Sequence, residues 1–182
     1  MSRGVSTPVA RRRRRLAEAL ARRRVAIGFL SGAAALWLAQ PTRSSLFAGA
    51  AVGACGEALR VWAAGHLEKS REVTTSGPYR FMRHPLYAGS TVMGAGLSFA
   101  ADSIVVAALV LGCLGVTLTA AIRTEEAHLT DKFGDDYPSY RQGTIAPAPR
   151  RFSLARAMKN REYRAVIGFA AVLALLALKR RA

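Results

Sequence analysis

The chain has 182 residues but only two cysteines, three histidines and 11 acidic side chains, and each scarcity closes off a class of protein. Cys55 and Cys113 lie inside apolar runs, not in the exposed loops that a disulfide framework uses. Three histidines and two distant cysteines give no metal-ligand spacing, so no metal site is expected. Eleven acids against 27 Lys+Arg leave a net charge of +16. A soluble domain mixes both signs over its surface. Here the charges are gathered between long apolar stretches, and 51% of residues are hydrophobic. That segregation excludes a soluble globular enzyme and a disordered basic protein. It points to an all-α, polytopic membrane helix bundle of one domain with basic loops.

Residues 1–24 hold nine Arg and one Glu, with Arg11–Arg15 a solid block. Nucleic-acid binding is one reading of such a tail. It lacks the aromatic and Gly interleaving of a nucleic-acid surface. A cytoplasmic tail that orients the next helix is the plainer reading, and no nucleic-acid partner is expected. The membrane domain is then residues 25–182. The first apolar run, 25–39, is followed by no A-x-A cleavage pattern, so it reads as a signal anchor. Spans come next at about 46–64, 86–101 and 103–122. Pro85 opens the third, where a missing N–H costs nothing. The third and fourth form a tight hairpin turning at Asp102. The 16-residue arm is short for a bilayer that wants about 20 residues per helix, so tilt or partial insertion is expected. A run at 165–178, of about 14 residues, fits either a short span or an interfacial helix. Four to five transmembrane helices result.

Basic residues crowd the tail, the 65–85 loop and the 123–163 segment, and are nearly absent from the 40–45 and Asp102 turns. All three basic segments, the C-terminal one included, should therefore face the cytoplasm of an inner membrane. If the fifth run spans, its basic end Lys179-Arg180-Arg181 emerges on the opposite side. Arg123 to Phe133 has helical spacing. The middle of the 123–163 segment contains Pro138, Pro147 and Pro149, and reads as irregular.

Three features could carry chemistry. Glu57 and Arg60, three apart on one helix face, either pair near the headgroups with Arg60 snorkelling or mark an interior charge. Gly77-Pro78-Tyr79 forces a turn, and Arg83-His84-Pro85 meets a helix start whose free N–H groups attract acids. Tyr79, Phe81 and Tyr87 add flat faces, so the stretch suits a ligand with an acidic end and an aromatic base, or it is a juxtamembrane belt. Glu125-Glu126, with Phe133-Gly134-Asp135-Asp136-Tyr137 beyond, either binds a cation or sugar hydroxyls or is a solvated helix end.

Gly56-Glu57-Ala58-Leu59-Arg60, Thr75-Ser76-Gly77-Pro78-Tyr79, Arg83-His84-Pro85-Leu86-Tyr87, Glu125-Glu126 and Phe133-Gly134-Asp135-Asp136-Tyr137-Pro138-Ser139-Tyr140 stand in order over about residues 46–146. Together they resemble the isoprenylcysteine carboxyl methyltransferase family, to which phospholipid N-methyltransferases are related. The resemblance implies S-adenosyl-L-methionine as cofactor and methyl donor, bound on the cytoplasmic side, and a lipophilic acceptor in the bilayer. It implies donor contacts at Tyr79, His84, Pro85, Leu86, Tyr87 and Glu125. It adds the run Arg71, Glu72, Val73 and Thr74, with His66 as a further contact. The family's substrate-facing Arg falls at Ala121 here. The nearest basic residue, Arg123, is the substrate candidate, although two positions along a helix is a different face.

The donor's groups suit these side chains. Arg83, His84 and free helix N–H groups could hold its carboxylate. Glu125 could take the ammonium or the ribose hydroxyls, and the rings could pack on adenine or sulfonium. Transfer to a carboxylate or thiolate neutralises charge and needs positioning and desolvation more than a base. An amine acceptor must first lose a proton, with His66, His84 or Glu126 as candidate bases. The catalytic candidates are thus His84, Arg83 and Glu126. The acceptor stays open among a lipid-like acid, a phospholipid amine and a small thiol. A non-catalytic scaffold is the reading from another class.

Overall fold

A computed structural model describes residues 30–69 and 71–181. The basic tail and residues 25–29 of the first apolar run lie outside them. The chain divides into two compact units at Trp37–Leu38. Of the first unit, residues 30–37 are described, and they are helical (α1, 30–38).

All regular structure among the described residues is helical. From Leu38 onward the elements are α2 (Arg43–His66), a 3₁₀ turn (Gly77–Arg80), α3 (Pro85–Ala100), α4 (Ile104–Phe133), α5 (Asp136–Arg141), α6 (Leu154–Lys159) and α7 (Tyr163–Arg181). Two of these helices, α2 and α4, are long and apolar enough to cross a membrane. α3 has 16 residues.

Small residues hold α2 against α3. A Cβ at Gly56 would stand 2.5 Å from Met93 N and 2.6 Å from Gly89 O. One at Gly96 would stand 2.6 Å from Gly49 O. Only hydrogens let these backbones approach so closely, which is how membrane helices gain contact without a hydrophobic drive between them. The large apolar side chains point outward instead: Val116 is 74% exposed and Phe47 77%. That is the inverse of a soluble core, and it marks a lipid-facing surface.

Thr42 begins α2 with a capping box: its hydroxyl accepts from Ser45 N, and Ser45 Oγ accepts from Thr42 N. The α2 end is closed from far away. Asn160 Nδ2 donates to Ala64 O and to Leu67 O, both at 2.9 Å. Arg156 Nη1 reaches Gly65 O at 2.6 Å and Arg150 Nη1 reaches His66 O at 3.3 Å. Carbonyls that helix geometry leaves unpaired are thus met, two of them by cations at the negative end of the dipole.

The α3–α4 hairpin turns through Asp102 at φ 49, and Gln40 N donates to Ala101 O at 2.7 Å. α4 then runs unbroken for 30 residues. At 1.5 Å per residue that is about 45 Å, against about 30 Å of hydrocarbon, so the polar stretch from Arg123 projects past it. The irregular reading of the proline-containing stretch is corrected at α5; residues 142–153, with Pro147 and Pro149, carry no helix, and α6 follows beyond them. Pro138 is the third residue of α5, within the first turn, where no N–H partner is needed. Ser153 caps α6 by accepting from Arg156 N.

Candidate functional site

The open end of the α3–α4 hairpin holds a hollow of about 490 Å³. Met82, His84 and Tyr87 line one side of it, and Leu118, Thr119 and Ile122 line the other. Its size is within the range of small-molecule sites, about 300–1,000 Å³. Glu125 lies one turn beyond Ile122, with its carboxylate near the Tyr87 hydroxyl. Tyr79 is buried nearby, and burial, followed by the charge of Glu125, pushes its hydroxyl well above the usual phenol range.

Glu126 ties the hollow's rim together. Its Oε1 is 3.1 Å from His84 Nε2 and 3.8 Å from Arg83 Nη1, and it accepts from the Tyr137 hydroxyl at 3.2 Å. Tyr137 is pushed up to about 12 by burial and by that carboxylate. The Tyr140 hydroxyl donates to Tyr79 O at 2.7 Å. These phenols stay protonated at neutral pH and act as donors, not as bases. The acid expected at the start of α3 is therefore supplied within the chain: Arg83 and His84 already face Glu126.

Tyr79, His84, Tyr87, Glu125 and Glu126 are brought together. Pro85 is buried at the first position of α3, and Leu86 turns its carbonyl towards α2, 3.4 Å from Arg60 Nη1. Arg123 is exposed on α4.

The remaining candidates belong to a second cluster. His66 is buried with its Nδ1 3.0 Å from Ser76 Oγ. Glu72 pairs with Arg150 at 2.6 Å, and Glu68 with Arg156 at 2.8 Å. Thr74 is buried and its hydroxyl accepts from Glu68 N at 3.3 Å. Ala148 N donates to the neighbouring Thr75 hydroxyl. Arg71 is largely exposed and Val73 half-buried. This cluster fastens the C-terminal segment to the loop after α2.

The Glu57–Arg60 pair has a third member. Arg60 Nε is 3.8 Å from Glu57 but 2.7 Å from Glu162 at the foot of α7, and its Nη1 also reaches Ser90 Oγ. Sequence reasoning missed Glu162, Tyr137 and Tyr140 as partners. Tyr137 and Tyr140 carried a signal, being three apart on one helix face. Glu162 carried none. Among the described residues, no group of three or more His, Cys, Asp or Glu is placed to hold a metal ion.

Helices with outward-facing apolar side chains joined by glycine contacts, two of them long and apolar enough to cross a membrane, with a mainly apolar hollow edged by His84, Tyr87 and Thr119, fit a helical membrane protein. Comparison with known proteins narrows this: residues 44–136 match the phospholipid methyltransferase family, and the chain belongs to that family of membrane methyltransferases. Among curated relatives, the nickel-cobalt-cadmium resistance protein NccN of Alcaligenes xylosoxydans xylosoxydans is 36% identical over 93 residues, 50% of this chain and 43% of that protein. The cobalt-zinc-cadmium resistance protein CzcN of Cupriavidus metallidurans is 33% identical over the same shares. The protein-S-isoprenylcysteine O-methyltransferase of Schizosaccharomyces pombe is 32% identical over 124 residues, 68% of this chain and 48% of that protein. The chain thus spans less than half the length of these relatives. No solved structure matches it.

Proposed function

We propose that the chain is an S-adenosyl-L-methionine-dependent methyltransferase of the inner membrane acting on a lipophilic acceptor, most like an isoprenylcysteine carboxyl O-methyltransferase. The observation that carries this reading is that His84 and Tyr87 line one hollow while Glu125, close to both Tyr87 and Tyr79, stands just beyond its Ile122 edge. The donor set fits the cofactor: a carboxylate beside a phenol for an ammonium or ribose hydroxyls, and aromatic and apolar walls for a purine. When bound, the cofactor supplies an electrophilic methyl group on sulfonium.

In this reading Glu125 and Tyr87 anchor the polar end of the cofactor. His84 is held in place by Glu126, which is in turn fixed by the Tyr137 hydroxyl. The apolar α3 and α4 walls exclude water from two opposite charges that cancel on transfer. The hollow and the loops at its rim face the cytoplasm, residues 1–24 form a cytoplasmic tail, and four or five helices of residues 25–182 cross the bilayer. Arg123, exposed near the mouth, is the candidate contact for an acidic acceptor. The match to the phospholipid methyltransferase family favours a second acceptor, a phospholipid amine. For that acceptor the His84–Glu126 pair is the place to lose a proton.

The test is equilibrium binding of S-adenosyl-L-methionine to the purified chain. Wild type should bind, and Glu125→Gln should weaken binding about tenfold, the loss of one charged hydrogen bond. A wild type that does not bind, or a Glu125→Gln variant that binds equally well, removes the reading. Labelled donor with host membrane extract then identifies the methylated product.

A further inference from the structure

The short helix α6, beside the end of α2, carries a surface of its own. It turns Ala157 inward and Leu154 and Met158 outward, 63% and 52% exposed and one turn apart. Lys159, Arg161 and Arg164 follow within six residues, and all three are exposed. Among the described residues none of them meets a carboxylate. Glu162, which stands between them in sequence, is buried and bound to Arg60 at 2.7 Å. Glu68 and Glu72, the acids of the loop after α2, are taken by Arg156 and Arg150. An apolar ridge thus adjoins three uncompensated cations, at the start of the apolar run of α7.

Arg161 stands out by its backbone. α6 ends in a paired closure, Glu162 N to Ala157 O at 3.1 Å and Arg161 N to Met158 O at 2.9 Å. That closure puts residue 161 at φ 62, a left-handed conformation that helix ends usually give to glycine. The turn asks for glycine and the sequence supplies a cation. Its side chain makes no hydrogen bond or ion pair among the described residues, so nothing inside the chain offsets the strain.

We infer that α6 and the turn into α7 form a docking site for an anionic phospholipid of the surrounding leaflet. Leu154 and Met158 enter the boundary of the acyl chains, and Lys159, Arg161 and Arg164 meet the negative headgroup. Charge selects the occupant: a zwitterionic head would bring a fourth cation to three unpaired ones, and a free phosphate has nothing to lay against the ridge. Tyr163 is 38% exposed with its ring 6.0 Å from the Arg164 guanidinium, a pairing that suits the headgroup layer. No residue of the hairpin hollow takes part, so the inference is independent of the methyl-transfer reading.

The chain has two tryptophans. Trp37→Phe, Trp62→Phe and Tyr163→Trp together leave a single one, at the foot of α7. The full chain with these changes is reconstituted in bilayers of phosphatidylglycerol and phosphatidylcholine with matched acyl chains, one or the other brominated. Quenching reports which headgroup stands beside residue 163. The anionic lipid should be preferred at least about fivefold, the scale of one cation at an anionic surface. Arg161→Gly should lower that preference at least about threefold, yet melt in non-ionic detergent at or above the parent, because glycine suits the left-handed turn. Lys132→Gln removes an exposed cation from α4 and should leave the preference unchanged. Equal quenching by both lipids in the parent, an unchanged preference in Arg161→Gly, or an equal fall in Lys132→Gln overturns the site. A lower melting temperature for Arg161→Gly assigns the side chain to the fold and overturns it too. Inorganic phosphate at fixed ionic strength should leave the preference intact, and its loss would make free phosphate the occupant and overturn the lipid.

Discussion

Gly96→Ala is the sharpest probe of how α2 and α3 fit together. The added methyl would lie 2.6 Å from Gly49 O and 2.6 Å from Gly53 Cα, about 0.8 Å inside ordinary contact at 3.4 Å. Both obstacles are backbone, so no side chain can swing away. The helices must part or slide, and forced overpacking of this kind costs about 1–3 kcal/mol. Against that, alanine gains up to about 1 kcal/mol of helix propensity over glycine. Gly115→Ala is the matched control: a Cβ there meets nothing within 4 Å, so only the propensity gain remains. Thermal unfolding of both variants in one detergent should separate them by several degrees, with Gly96→Ala below wild type and Gly115→Ala at or above it. Equal melting temperatures for the two variants would refute the close α2–α3 packing.

Two smaller perturbations probe the hollow's rim and the C-terminal segment. Tyr140→Phe removes the 2.7 Å hydrogen bond to Tyr79 O, and should cost about 1–2 kcal/mol and weaken donor binding without abolishing it. An unchanged melting temperature and affinity would show that α5 does not brace the Gly-Pro-Tyr turn. Glu68 is held below the usual carboxylate range by its hydrogen bond from Arg156. Its folded form therefore favours the ionised carboxyl. That contribution is complete above the ordinary value of 4.5 and is lost as pH falls through the folded value. The melting temperature of wild type should accordingly drop more steeply below that pH than that of Glu68→Gln, and parallel curves would refute the link.

The sequence made some parts of this molecule easier to read than others. The hairpin was legible because Asp102 interrupts an apolar stretch that would otherwise run on past one bilayer thickness. The start of α3 was legible from Pro85. The end of α4 was legible from the helical spacing that runs through Phe133, just before Gly134, which takes a positive φ of 52; its unbroken continuity with the apolar span was not. α5 was hidden by Pro138, whose position within the first turn decides whether it breaks a helix or begins one. In the candidate site, Tyr79, Tyr87 and Glu125 could be paired because motif order brought their segments to one end of a hairpin. The pairing of Glu126 with Arg83 and His84 was not legible, since adjacent acids give no hint which will face inward. His66, Glu72 and Thr74 were grouped with the donor contacts by the resemblance, not by any local pattern of their own. Arg150, which meets Glu72 and the His66 carbonyl, and Arg156, which meets Glu68, come from a segment whose return path no local pattern reveals.

The closure of α2 from the far end of the chain has a consequence for biosynthesis. The donors that meet the carbonyls of residues 64 to 67 come 84, 91, 93 and 96 positions later. At about 5–20 residues per second, a ribosome needs on the order of 5–20 s to deliver them. Throughout that interval the second helix has an unsealed terminus, and only water or a chaperone can occupy it. A chain released before residue 150 never acquires its seal, so nascent products cut short there should be the ones that quality control removes.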